Sequence, residues 1–128
     1  MAAHHEGVDN ADYTTPQTID AYHKSLGWPG IGYAFVVNRD GYVYYCGDIG
    51  TMRYHAGENN PSTVGICLTG DFTKYWPLPT QLAGAKRAIA FVRQLLGRQV
   101  PVLGHRELPG MATECPGNSW AGWKGLLL

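Results

Sequence analysis

The sequence predicts a single α/β domain over residues 1–128, with a central mixed β-sheet flanked by helices. Two stretches, about 15–26 and 80–97, repeat apolar residues at helical spacing. Dense β-branched and aromatic runs at 33–37, 42–46 and 63–68, with a shorter one at 100–103, read as strands. The order helix, hairpin, strand, helix, strand is that of an α/β domain.

Taken in chain order, residues 1–13 show little periodicity and leave room for a short strand ahead of His4-His5. Thr14 or Thr15 suits the cap of the first helix, with Pro16 in its first turn. Ile19, Tyr22, His23 and Leu26 form its repeat, and Gly27 stops it. Trp28-Pro29-Gly30 is a turn, and Asn38-Arg39-Asp40-Gly41 joins Tyr33–Val37 to Tyr42–Cys46 as a hairpin. Residues 47–62, with paired Asn and a Pro among glycines, read as a long surface loop. Thr63–Leu68 reads as a central strand. A loop at 70–79 carries Phe72, Tyr75 and Trp76. Thr80 is the expected cap of the second helix, whose stripe is Leu82, Ala85, Ile89, Val92 and Leu96 before Gly97. A loop at 104–119 and a short helix at 120–127 complete the chain.

Ten basic residues balance ten acidic ones, with the first half at −4 and the second at +4. That balance argues against nucleic acid as a partner. No run approaches the roughly 20 apolar residues of a membrane span, so no membrane insertion is expected. No basic-then-apolar leader is visible at the N-terminus. A monomer is the default expectation. Three cysteines, an odd number, argue against a fully paired disulfide framework. Cys46 and Cys67 read as buried free thiols, whereas Cys115 lies in a polar, Gly- and Pro-rich context that asks for another explanation.

His105 and Cys115 lie ten residues apart in one loop, and imidazole nitrogen and thiolate sulfur are good zinc ligands. A third ligand has to come from His4, His5, His23 or His55. Two His and one Cys leave a fourth position open, the pattern of a catalytic zinc site. Spacing alone also allows an ordinary loop histidine, a small buried hydrophobe at Cys115, and a tag remnant at His4-His5.

Several segments together resemble the zinc-dependent N-acetylmuramoyl-L-alanine amidases, a family that includes the peptidoglycan recognition proteins. They are His4-His5, Gly27-Trp28, Ile31–Val37, Asp40-Gly41 with Val43-Tyr44, Tyr54-His55-Ala56-Gly57, Asn59–Leu68, Gly104-His105-Arg106-Glu107 and Thr113–Gly117. The resemblance covers essentially the whole chain, in order. It implies that family's fold, with zinc on His4 (in preference to His5), His105 and Cys115. It implies hydrolysis of the amide between N-acetylmuramic acid and L-alanine in bacterial peptidoglycan.

Tyr33 then matches the family's site tyrosine, a donor to the oxyanion. Thr113 stands where some members carry lysine and offers a hydroxyl in its place. Glu107 becomes a proton carrier or a carboxylate supporting His105. Trp28, Tyr54, His55 and Trp76 are expected groove walls, Asn59, Asn60 and Ser62 hydrogen-bonders either to substrate peptide or within their own Gly-rich loop, and His23 a residue packed under the site. Ala34 departs from the bulkier polar residue of many members, on the strand face away from Tyr33. With no leader visible, a phage or prophage endolysin made in the host cytoplasm and acting on the cell wall is the expected setting, or else an extracellular enzyme. The competing expectation is a non-catalytic peptidoglycan-binding module, which generally lacks the cysteine ligand.

Overall fold

The computed structural model of the protein describes residues 1–9 and 11–128. Its strands are β1 (Ala2–His5), β2 (Phe35–Val37), β3 (Val43–Tyr45), β4 (Gly65–Leu68) and β5 (Leu103–Gly104). They form one sheet in the order β3-β2-β4-β1-β5. The β2–β3 hairpin is antiparallel, and the β2–β4, β4–β1 and β1–β5 pairs are parallel. The sheet is therefore mixed, as expected. β1 is an interior strand bonded on both sides, although Ala-Ala-His-His has weak strand propensity. Ala2 and Ala3 are fully buried there, which shows that close packing and the ladder override propensity.

Helix α1 (Pro16–Ser25) starts at Thr15, not Thr14. The Thr15 hydroxyl accepts from Thr18 N, and Thr18 Oγ1 accepts from Thr15 N. Helix α2 (Pro79–Leu96) begins one residue before the expected cap. Gln81 Oε1 accepts from Leu78 N and ends the chain's approach, while the Thr80 hydroxyl donates instead to Arg39 O. Ala85, Ile89 and Val92 of its stripe are buried, but Leu96 is exposed and Gln81 and Ala88 turn inward. Gly97 closes the helix at φ 62°.

α2 covers one sheet face, where Phe35, Val37, Ile66 and Leu68 meet Ala85, Ile89 and Val92. Trp120 and Trp123, of the short helix α3 (Trp120–Trp123), join the same core. The expected terminal helix is divided, its second half being a 3₁₀ turn at Lys124–Leu127. The loop at 47–62 contains a 3₁₀ segment, Gly57–Ser62. Cys46, Cys67 and Cys115 are all free thiols; Cys67 is fully buried, but Cys46 is only partly so. Among the described residues no helix is long and apolar enough to cross a membrane.

Candidate metal centre

The pleat of β1 separates its histidines. Ala3 belongs to the α2-side core, and Ala2 to a small cluster with Ala56 and Leu108 on the opposite face. His4 shares the face of Ala2 and is 1% exposed. Its ring lies 4.5 Å from that of His105 and 5.0 Å from that of Tyr33. His5 turns away, accepting from Phe72 N with Nδ1 at 3.1 Å.

His105 opens a 3₁₀ turn directly after β5. The loop that follows folds back, and Arg106 N donates to Cys115 O at 2.8 Å, placing the thiol beside β1. His4, His105 and Cys115 each offer one donor atom, all within 4.8 Å of one another. His4 Nδ1 lies 3.7 Å from Cys115 Sγ. Zinc bonds of about 2.0–2.3 Å at tetrahedral angles separate nitrogen and sulfur by about 3.5 Å, so this pair already has the required spacing. The donor set, the distances and the neutral imidazoles all fit zinc.

Burial, followed by the neighbouring His55 and His105 rings, holds His4 well below the usual imidazole pKa. Burial lowers His105 as well. Both rings are thus neutral near pH 7, the form that binds a metal. Burial pushes the Cys115 thiol up to about 11, so metal binding has to displace a proton from it.

The supporting contacts fix the tautomers. With Nδ1 of His4 facing the sulfur, its Nε2 carries the proton and donates to His55 Nδ1 at 3.0 Å. His55 Nε2–H then faces Thr63, 3.2 Å from the carbonyl oxygen and 3.1 Å from the hydroxyl. An imidazole thus fills the place where a metal-bound histidine ordinarily meets a carboxylate or carbonyl. Asn60 Oδ1 holds this loop by accepting from the backbone N–H of His55 and Ala56. His105 Nε2 lies 3.1 Å from the Met111 thioether.

A cleft of about 430 Å³ runs past the cluster, with Trp28, Tyr54, His55, His105, Met111 and Thr113 in its lining. Thr113 Oγ1 accepts from Cys115 N at 3.1 Å, which leaves the hydroxyl proton free to donate. The Tyr33 ring is tilted by 50° to that of His4, and its hydroxyl lies against the Cys67 thiol. Burial, then the nearby Cys67 and Cys115, raise its pKa well above the phenol value and keep it protonated. His23 lies beneath, its Nδ1 accepting from Gly32 N and its ring 5.4 Å from Tyr33. Ala34 belongs to the α2-side core, away from Tyr33.

Four expectations need correction. The Glu107 carboxylate accepts from Gly104 N at 2.8 Å and pairs with Lys124 at 2.6 Å, so it braces the turn after β5 and does not serve as a proton carrier. Asn59 donates to Ala56 O and Pro109 O, and the Ser62 hydroxyl donates to Asn59 O; both are spent inside the loop. Trp76 lines a different cavity. Sequence reasoning passed over Met111, which lines the cleft; a long apolar side chain in a Gly- and Pro-rich loop was the available signal. It also passed over Glu6, which follows His4 by two positions and accepts from the Thr14 hydroxyl. Burial raises the Glu6 carboxyl pKa.

Residues 1–118 match the family model described as N-acetylmuramoyl-L-alanine amidase. The chain belongs to this amidase family. Peptidoglycan-recognition protein SC1a/b of Drosophila simulans is 36% identical over 119 residues, covering 85% of this chain and 63% of that protein. The chain thus spans less than two thirds of the length of such a curated family member. Among solved structures, the amidase LysC from Clostridium intestinale superposes with a TM-score of 0.82 at 31% identity, over 91% of this chain and 74% of that one. The Ph2119 endolysin from a Thermus scotoductus bacteriophage gives 0.81 at 28% identity, over 98% and 81%. These likenesses extend across the five-stranded sheet and the helices, and the fold is the family's.

Proposed function

We propose that residues 1–128 are the catalytic unit of a zinc-dependent amidase. It cleaves the bond between N-acetylmuramic acid and L-alanine in bacterial peptidoglycan, in the manner of a phage or prophage endolysin. The observation that carries this reading is the convergence of His4, His105 and Cys115 beside an open cleft. Three protein donors leave one tetrahedral position for chemistry. The likeness to a bacteriophage endolysin supports the setting.

Zinc, when bound, supplies Lewis-acid polarisation of a carbonyl and a nucleophilic water near neutral pH. The chain supplies the rest. Tyr33, kept protonated by burial, donates a hydrogen bond toward the oxygen on which charge develops. Thr113, in the lining of the cleft, adds a second hydroxyl donor, weaker than a cation in that place. Trp28 and Tyr54, with ring centroids 6.3 Å apart, give the cleft an apolar wall that holds substrate and excludes water. The deciding experiment digests cell walls with the zinc-loaded protein. New L-alanine amino termini support the proposal. New reducing sugar ends, or binding without any new termini, overturn it.

A further inference from the structure

A second cavity, of about 570 Å³, shares no lining residue with the metal cleft. It opens where β2 and β4 end and α2 begins, the position at which α/β sheets commonly receive ligands. Its two surfaces differ in character. Thr69 is fully buried in the lining, and its hydroxyl has no hydrogen-bond partner among the described residues. Such a group is costly to bury unless something completes it. Beside it, buried Gln81 spans from Leu78 N to Thr69 O.

The outer lining is aromatic. Tyr75 is 70% exposed and Trp76 53% exposed. Both are set on an anchored loop, because the Ser119 hydroxyl lies 2.8 Å from the carbonyl oxygens of Phe72 and Tyr75. Trp76 is seated directly on Gly122, where a Cβ would come within 2.5 Å of its ring. The indole therefore has one side fixed and the other presented. The charges of the lining are of both signs: Arg39 pairs with Asp12 at 3.6 Å, and Asp71 accepts from Thr73 and lies 3.6 Å from His5. Asp9 also lies in the lining and is exposed to solvent, so the acids there are either partnered or solvated and none calls for an ionic ligand.

Anchored rings outside and an unfilled hydroxyl inside suit a neutral molecule with an apolar face and a polar edge. We propose that this cavity is a saccharide subsite. It takes an N-acetylated hexosamine of the glycan strand, stacked on Trp76 and Tyr75 and hydrogen-bonded to Thr69. The identity of the ligand rests on the peptidoglycan reading above. The subsite would hold the polymer at a second point, raising avidity for intact wall over small fragments.

The test titrates the whole protein with the tetramer of N-acetylglucosamine, which lacks the amide cleaved at the metal. Resonances of Trp76 and Thr69 should shift with saturation. Trp76→Ala should weaken binding about tenfold, the order contributed by one stacked ring. Tyr75→Ala, at a residue so exposed that folding is untouched, should weaken it severalfold. Thr69→Val should lose affinity without lowering the melting temperature. Turnover of a small soluble muramoyl peptide should stay unchanged in Trp76→Ala, while KM on intact wall rises.

Absence of saturable binding, equal binding by Trp76→Ala and Tyr75→Ala, or shifts confined to Trp28 and Tyr54 would each overturn the inference. So would a free stem peptide that binds at Trp76 when the tetramer does not. Wild-type release of L-alanine termini without tetramer binding sinks this inference alone. Tetramer bound at Trp76 without such release sinks the amidase reading alone.

Discussion

At the scale of single residues, each side chain around the cluster has a separable task. Cys115 brings the anionic ligand, so Cys115→Ala should lose both zinc and hydrolysis, read by metal analysis and by counting new amino termini. Tyr33 packs against His4 without offering a donor atom to the metal, so Tyr33→Phe should keep a full zinc complement and lower kcat by about 10²-fold, the usual cost of one oxyanion donor. His55 acts through His4. His55→Ala should lower zinc affinity by about 10–100-fold in a chelator competition, and a sheet that still forms in that variant would separate this effect from misfolding. The ligand residues were legible in the sequence because their chemistry is rare and their motifs resemble those of a known family. The His55–His4 bond was not, since it joins positions 51 residues apart through a fold that spacing cannot supply. Glu107 was left between two roles for the opposite reason. A carboxylate two residues from a ligand suggests chemistry, and only the structure shows it turned toward Lys124 and Gly104 N.

At the scale of elements, the turn after β5 is what presents His105, and Glu107 ties that turn to the C-terminal segment. Its pair with Lys124 is partly solvent-exposed, so the bond to Gly104 N carries most of the effect. Glu107→Gln should cost about 1 kcal/mol in urea unfolding and leave hydrolysis within about threefold. A hundredfold loss of rate with zinc retained would return Glu107 to the chemistry. Helix α1 and the hairpin were readable from local signals: the Thr15 cap, the periodic Ile19 and His23, and the turn at Asn38–Gly41. Strand ends were less so. β5 is two residues long and exists by pairing with β1, not by any propensity of Leu103 and Gly104. The start of α2 moved because the Gln81 side chain, not Thr80, found the free backbone N–H.

At the scale of the whole molecule, the buried histidines link stability to pH. Burial lowers His55 from 6.5 to about 4, and His4, His5, His23 and His105 are lowered as well. Between those values the unfolded chain binds more protons than the folded one, so stability rises with pH. The contribution is complete above about 6.5 and is lost as pH falls toward 4. For His55 alone about 2 kcal/mol of it has been lost by pH 5. Urea midpoints of chelator-treated protein should therefore drop between pH 7.5 and 5, and His55→Asn should flatten that dependence. The α/β class and the mixed sheet were legible from the succession of periodic segments. The interior place of β1 was not, because Ala-Ala-His-His becomes a strand only once β4 and β5 flank it.

His4 and Cys115 stand 111 positions apart along the chain. An ion gripping both closes a loop that takes in most of the polypeptide, much as a covalent staple would. Loading it should slow the departure of the first strand from the sheet, so that metal content governs how long the folded molecule survives as well as what it cuts.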